Sequence, residues 1–184
     1  MLGFKFSNDP TPALQIEHLV KKANKRFFLL LRHKRAGLPC DRLRDIYSSV
    51  IRSCIEYSSP AYHSLLNQSQ INLLEKVQKR CLRAIYGYEK DYQTLLALSG
   101  LSSLEDRRIN QFQKFANKTL KNPKYAHWFP PNNNIRSGRH TLKYLEEKCV
   151  GNRLYKSPLF AMRRYINRSE DESGTDLTGL FTQP

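Results

Sequence analysis

Apolar residues in this chain recur mostly at helical spacing. Ile16, Leu19, Val20, Ala23, Phe27, Leu30 and Leu31 fall on one face at about 100° per residue, with Lys21, Lys25 and Arg32 opposite. Thr11 can cap this helix with Pro12 in its first turn, while Gly37 and Pro39 close it. Phe28 and Leu29 flank the basic side and read as extra core contacts. A second helix fits residues 41–57, burying Leu43, Ile46, Tyr47, Val50, Ile51 and Cys54; Pro60 starts a further turn. A third runs from about Ser69 to Tyr86, burying Leu74, Val77, Cys81 and Ile85, with Lys76, Lys79, Arg80 and Arg83 opposite.

Asp91 caps a short helix that Gly100 closes. Ser102 with Glu105 makes a capping box for the next helix, whose core line is Leu104, Ile109, Phe112, Phe115, Ala116 and Leu120, with Arg107 and Arg108 off that line. Asn122-Pro123 stops it. Periodicity then fades until a last short helix, Leu159 to Asn167. Only Leu2–Ser7 alternates with the period of a strand. The expected fold is mainly α: a helical bundle with a short N-terminal strand and an irregular basic C-terminal extension. The expected limits are 1–9 for the strand, 10–123 for the bundle, 124–168 for the extension and 169–184 for a disordered acidic tail.

Charge changes the picture more than size does. The 184 residues carry 31 Lys+Arg against 16 Asp+Glu, a net of +15, and such an excess points to a polyanionic partner. Glu170, Asp171, Glu172 and Asp176 lie beyond Arg168, where no Lys or Arg remains. Nucleic acid is the expected partner, an inert basic surface the bland alternative. A membrane is not expected, because no stretch approaches 18 apolar residues. Cys40, Cys54, Cys81 and Cys149 are scattered and read as reduced cysteines of an intracellular protein, with the nucleus as one location. The Asn-x-Ser/Thr triplets at Asn67, Asn117 and Asn167 read as chance matches.

Catalytic chemistry is nearly invisible. There is no phosphate-cradling glycine loop and no Gly-x-Ser-x-Gly elbow. The five histidines lack metal-ligand spacing, Cys149 with His140 being the one weak pairing, so neither metal nor cofactor is expected. Two-metal phosphoryl chemistry needs converging carboxylates, and the chain has no compact acidic cluster in a plausible strand-turn. Basic helix faces, by contrast, can track phosphates. The candidate contacts are Lys21, Lys22, Lys25, Arg32, Lys76, Lys79, Arg80 and Arg83. Tyr86, Tyr88, Trp128 and Tyr144 are candidates for base stacking, each set against ordinary packing.

Five blocks then occur in an informative order. They are Leu2-Gly3 before a strand with His18 to Arg26 and Lys34-Arg35-Ala36-Gly37-Leu38-Pro39; Arg52 through Glu56-Tyr57 and Pro60 to Tyr62-His63; Leu74-Glu75-Lys76-Val77-Gln78-Lys79-Arg80; Leu101 through Leu104 to Arg107-Arg108; and Arg153 to Ser157-Pro158. Together they resemble the region following the catalytic palm in LINE-type (non-LTR) retrotransposon reverse transcriptases. Tyr62 stands where that family usually has Trp. The resemblance implies a thumb and C-terminal region that grips the backbone of an RNA–DNA or RNA duplex. It implies no catalysis by this chain alone, because fingers, palm and the Asp-Asp turn are missing and Met1 falls where the palm ends. Two rivals remain: a protein-interaction module docking a palm-like partner through Leu2–Phe6 as an added strand, and a degenerate element fragment without selected function.

Overall fold

The computed structural model describes residues 12–132, 142–146 and 152–171. They are mainly helical, and no strand forms among them. The expected strand Leu2–Ser7 and the Thr11 cap lie outside the described residues. By compactness the chain divides into two units, one of residues 12–59 with 66–108, the other of 60–65 with the described residues from 109 onward. Neither limit coincides with the boundary at 123 read from periodicity.

In the first unit, α1 (Ala13–Arg35) buries Ile16, Leu19, Ala23, Phe27 and Leu30, and also Gln15. Its end is a full Schellman closure. Leu38 N–H donates to His33 O (3.3 Å) and Gly37 N–H to Lys34 O (3.0 Å). Gly37 takes φ of 82°, a left-handed conformation that a Cβ would strain. Arg32, His33, Lys34 and Arg35 occupy the last turn, where positive charge suits the helix dipole. Phe28 and Leu29 are not core residues: they are 58% and 45% exposed.

The second helical stretch holds an irregularity. It runs as α2 (Cys40–Ile46), a π turn (Tyr47–Arg52) and α3 (Ser53–Glu56). Its most buried positions, Leu43, Tyr47, Ile51 and Ile55, step by four. A π turn is wider than an α turn, so steps of four keep facing the core. That explains why Ile55 is buried although an α-helical period passes it over, and why Ile46 and Val50 are only half-buried. α4 (Ser59–Tyr62) and a 3-10 turn (His63–Leu65) follow.

α5 (Gln68–Tyr86) starts with a capping box: Gln70 N–H donates to Asn67 Oδ1 (2.9 Å), and Asn67 N–H to Gln70 Oε1 (3.0 Å). α5 packs on α1, α2 and α6, while α1 packs on the π turn and α3. α6 (Tyr92–Ser99) is capped by Asp91, whose carboxylate accepts from Gln93 N–H (3.1 Å) and Thr94 N–H (3.2 Å). α7 (Leu104–Leu120) begins one residue later than the Ser102–Glu105 box implies. Ser103 caps it, accepting from Asp106 N–H (3.0 Å). Glu105 N–H instead donates to Glu75 Oε1 (2.8 Å). Arg108 is fully buried rather than off the core line, and Phe115 is 42% exposed rather than in it.

The first unit also buries a connected polar set. Tyr47 OH donates to Gln78 Oε1 (2.6 Å), Gln78 Nε2 to Tyr92 OH (2.8 Å) and Ser102 O (3.0 Å), and Tyr92 OH to Glu75 Oε2 (2.6 Å). Paired in this way, these groups avoid the cost of burying polarity alone.

The second unit gathers Phe112, Ala116, Phe129, Ala161, Met162, Tyr165 and Ile166, with Leu120, Trp128, Tyr144 and Leu159 packed alongside. Its described helical parts are residues 60–65 (most of α4 and the His63–Leu65 turn), the C-terminal part of α7, a 3-10 turn (Pro123–Trp128), α8 (Asn152–Tyr155) and α9 (Pro158–Asp171). α9 overlies the expected last helix and runs three residues into the expected tail, while the 3-10 turn and α8 add helical turns where irregular chain was expected. Asn167 pins a loop: Tyr144 N–H donates to its Oδ1 (3.0 Å), and its Nδ2 donates to Tyr144 O (3.0 Å) and Glu146 Oε1 (2.8 Å). The triplet at Asn67 is a helix cap and that at Asn167 a buried pin.

Candidate nucleic-acid interface

The cations of α1 and α5 all belong to the first unit, and packing of the two helices decides which of them share a surface. Arg80 crosses the seam. Its Nη1 donates to Asn24 Oδ1 (3.3 Å), and its guanidinium lies 4.3 Å from the centroid of the Phe27 ring. One turn to either side of Asn24 stand Lys21 and Phe28, neighbours on a helix surface, and one turn to either side of Arg80 stand Lys76 and Arg83. The exposed seam therefore joins the two basic faces into one surface.

Lys21, Lys25 and Arg32 are exposed on α1, along the ridge opposite its buried row. Lys21 is held by Glu17 (2.6 Å), and both side chains remain more than half exposed. Such a pair contributes little stability and yields readily to a phosphate. Lys76 and Arg80 are exposed on α5, whereas Lys79 and Arg83 are half-buried. Lys79 Nζ sits 5.9 Å from the Tyr92 ring centroid. Lys22 is exposed but stands apart from the ridge, on the flank of α1 turned to the π turn and α3.

Periodicity missed Lys34 and Arg26 as positioning groups. Lys34 Nζ donates to Ala84 O near the C-terminus of α5, where positive charge offsets the helix dipole. Arg26 Nη1 donates to Val50 O in the π turn. Neither is signalled by a motif, because each reaches a backbone carbonyl of another helix. His18, Lys22 and Arg26 do recur at intervals of four, a row that is visible in the chain.

Among the stacking candidates, Trp128 and Tyr144 pack against the second unit's core, Tyr86 is half-buried, and Tyr88 is 64% exposed. Burial raises the pKa of Tyr86.

Reactive groups do not gather at this surface. Burial, with Cys81 nearby, pushes the Tyr47 hydroxyl well up, and burial with the Glu75 hydrogen bond does the same to Tyr92. Both remain protonated donors. Burial pushes the Cys81 thiol up to about 12, which leaves it protonated and unreactive at neutral pH. The Arg107 guanidinium is held yet more firmly protonated by its hydrogen bonds to Glu56. Among the described residues no group of His, Cys, Asp and Glu is placed to hold a metal ion, and no described helix is long and apolar enough to cross a membrane. His140 and Cys149 lie outside the described residues. No family model, no curated protein and no solved structure matches this chain.

Proposed function

We propose that the chain binds nucleic acid along the joined outer faces of α1 and α5, gripping backbone phosphates of an RNA–DNA or RNA duplex as a reverse-transcriptase thumb would. The carrying observation is the exposed Asn24–Arg80 seam, which makes one basic surface from two helices. Lys21, Lys25 and Arg32 line one side of it and Lys76 the other. The ordered residue blocks that resemble those of LINE-type reverse transcriptases favour a template–primer duplex over other polyanions. An A-form duplex presents phosphates and 2′-hydroxyls rather than readable major-groove base edges, which suits a surface of cations. The same reading makes the chain a holder of substrate, with catalysis supplied from elsewhere. The rival docking reading depends on Leu2–Phe6, which lies outside the described residues.

Binding to an RNA–DNA hybrid, titrated across salt concentration, tests the reading. Five phosphate contacts predict a log–log slope of about −4.5. Binding that ignores salt, or no binding at low salt, overturns it.

A further inference from the structure

The flank of α1 away from α5 carries a separate feature. His18, Lys22 and Arg26 stand one turn apart along it, facing α3 and Tyr57 across a cavity of about 400 Å³. Leu19 and Cys54 contribute apolar surface to the cavity, and the exposed Tyr57 lines it at the end of α3. None of its described lining residues is acidic. Two carboxylates adjoin lining residues in sequence: Glu17 pairs with Lys21 (2.6 Å), and Glu56 is taken by Arg107 Nη2 (2.9 Å) and Nε and lies 3.7 Å from Arg52.

Arg26 is fixed by a carbonyl rather than a carboxylate, so its anchor leaves the positive charge uncancelled. The cavity thus combines an anchored Arg26, the exposed Lys22, apolar surface and an exposed aromatic ring. Its volume falls in the range of small-ligand sites. Cations at one place with an aromatic ring and apolar surface beside them match a charged head attached to a flat ring. A guanidinium and an ammonium together suit the three oxygens of a phosphate monoester.

We propose that this cavity binds a nucleotide through its phosphate monoester, with Lys22 and Arg26 on the phosphate and the Tyr57 ring against the base. Two sources carry that chemistry: a free mononucleotide and the phosphorylated 5′ end of a strand. The site lies on the flank of α1 beside the duplex ridge and does not use Lys21, Lys25 or Arg32. It therefore stands or falls separately from the duplex reading.

The test titrates the full chain with AMP, adenosine and inorganic phosphate, and with one oligonucleotide bearing either a 5′-phosphate or a 5′-hydroxyl. AMP is expected to bind about tenfold or more tighter than adenosine and than phosphate, since it alone engages both halves of the site. Lys22→Ala and Tyr57→Ala, both at exposed positions, should each weaken AMP at least about fivefold with unchanged circular dichroism. Lys90→Ala, an exposed first-unit cation that is not part of the cavity lining, should leave AMP binding within about twofold, as a solvent-screened charge would. A preference for the 5′-phosphorylated strand assigns the site to strand ends; AMP binding without that preference assigns it to free nucleotides. AMP binding no tighter than adenosine, AMP binding no tighter than phosphate, or indifference to Lys22→Ala overturns the proposal. A lost duplex affinity in Lys25→Ala with AMP binding intact would separate the two surfaces.

Discussion

In the first unit the cations of α1 and α5 mostly stand on faces opposite the buried rows, and interior polarity is carried by Tyr47, Gln78, Tyr92 and Glu75, with Arg108 of α7 as the buried cation. In the second unit two arginines of α9 are themselves buried. Arg163 donates from Nε to Trp128 O (2.7 Å) and lies 5.3 Å from the Phe160 ring centroid; Arg164 lies 3.7 Å from that of Tyr155. The outer faces of α1 and α5 display positive charge, whereas α9 uses it as packing material, with flat guanidinium groups laid against aromatic rings. The net charge of +15 therefore overstates the charge available to a polyanion. Counting cations in the chain cannot separate the two uses, whereas burial can.

The sharpest break between the units should come from Arg163→Ala. It removes a charged donor from the Trp128 carbonyl and should cost about 2–3 kcal/mol in denaturant unfolding, with the salt slope of duplex binding unchanged. Equal loss of binding would show that this arginine also serves the ligand. Next in size is Tyr47→Phe, which leaves the buried Gln78 carbonyl oxygen without its Tyr47 donor at about 1–2 kcal/mol, again read by chemical denaturation. Lys25→Ala should do the reverse of both. Its effect on stability should stay within about 0.5 kcal/mol, while the salt slope becomes shallower by about 0.9. A stability loss there would place Lys25 with the packing cations.

The smallest effect concerns Asp91. Hydrogen bonds from Thr94 hold its carboxyl below the usual range, so the folded chain favours the charged form more than the unfolded chain does. The contribution is present above the unfolded carboxyl's pKa, about 4, and fades as pH falls through the lower folded value. Asp91→Asn keeps a capping side chain but removes the titration. It should flatten that part of the acid limb of a stability–pH curve, and an unchanged limb would assign the slope to other carboxylates.

Much of the helical skeleton is readable in the chain because burial is one-sided. α1 and α5 each repeat apolar residues at nearly 3.6, with a turn signal at the end, and the structure places their limits within a residue or so. The misses have specific physical causes. Ser102 and Ser103 are adjacent capping candidates, and the Glu75 carboxylate decides between them by taking the N–H of Glu105. Arg108 is buried although an arginine ordinarily reads as surface. Ile55 is missed because a constant period cannot register an inserted π turn. The cations of the candidate surface are readable as a face, but the Arg80–Asn24 seam joins residues 56 positions apart, beyond any local pattern. The row His18, Lys22 and Arg26 is visible in the chain, yet it means nothing until α3 lies across from it.

The π turn also acts as a phase setter. Were Tyr47–Arg52 to wind as an ordinary α-helix with no residue removed, everything after it would turn by about 100°. Glu56 would swing away from Arg107, and Tyr57 away from the cations of α1. A single surplus residue thus fixes which of two neighbours, a carboxylate or an aromatic ring, faces the positive flank of α1, and with it whether that flank is neutralised or left open to an anion.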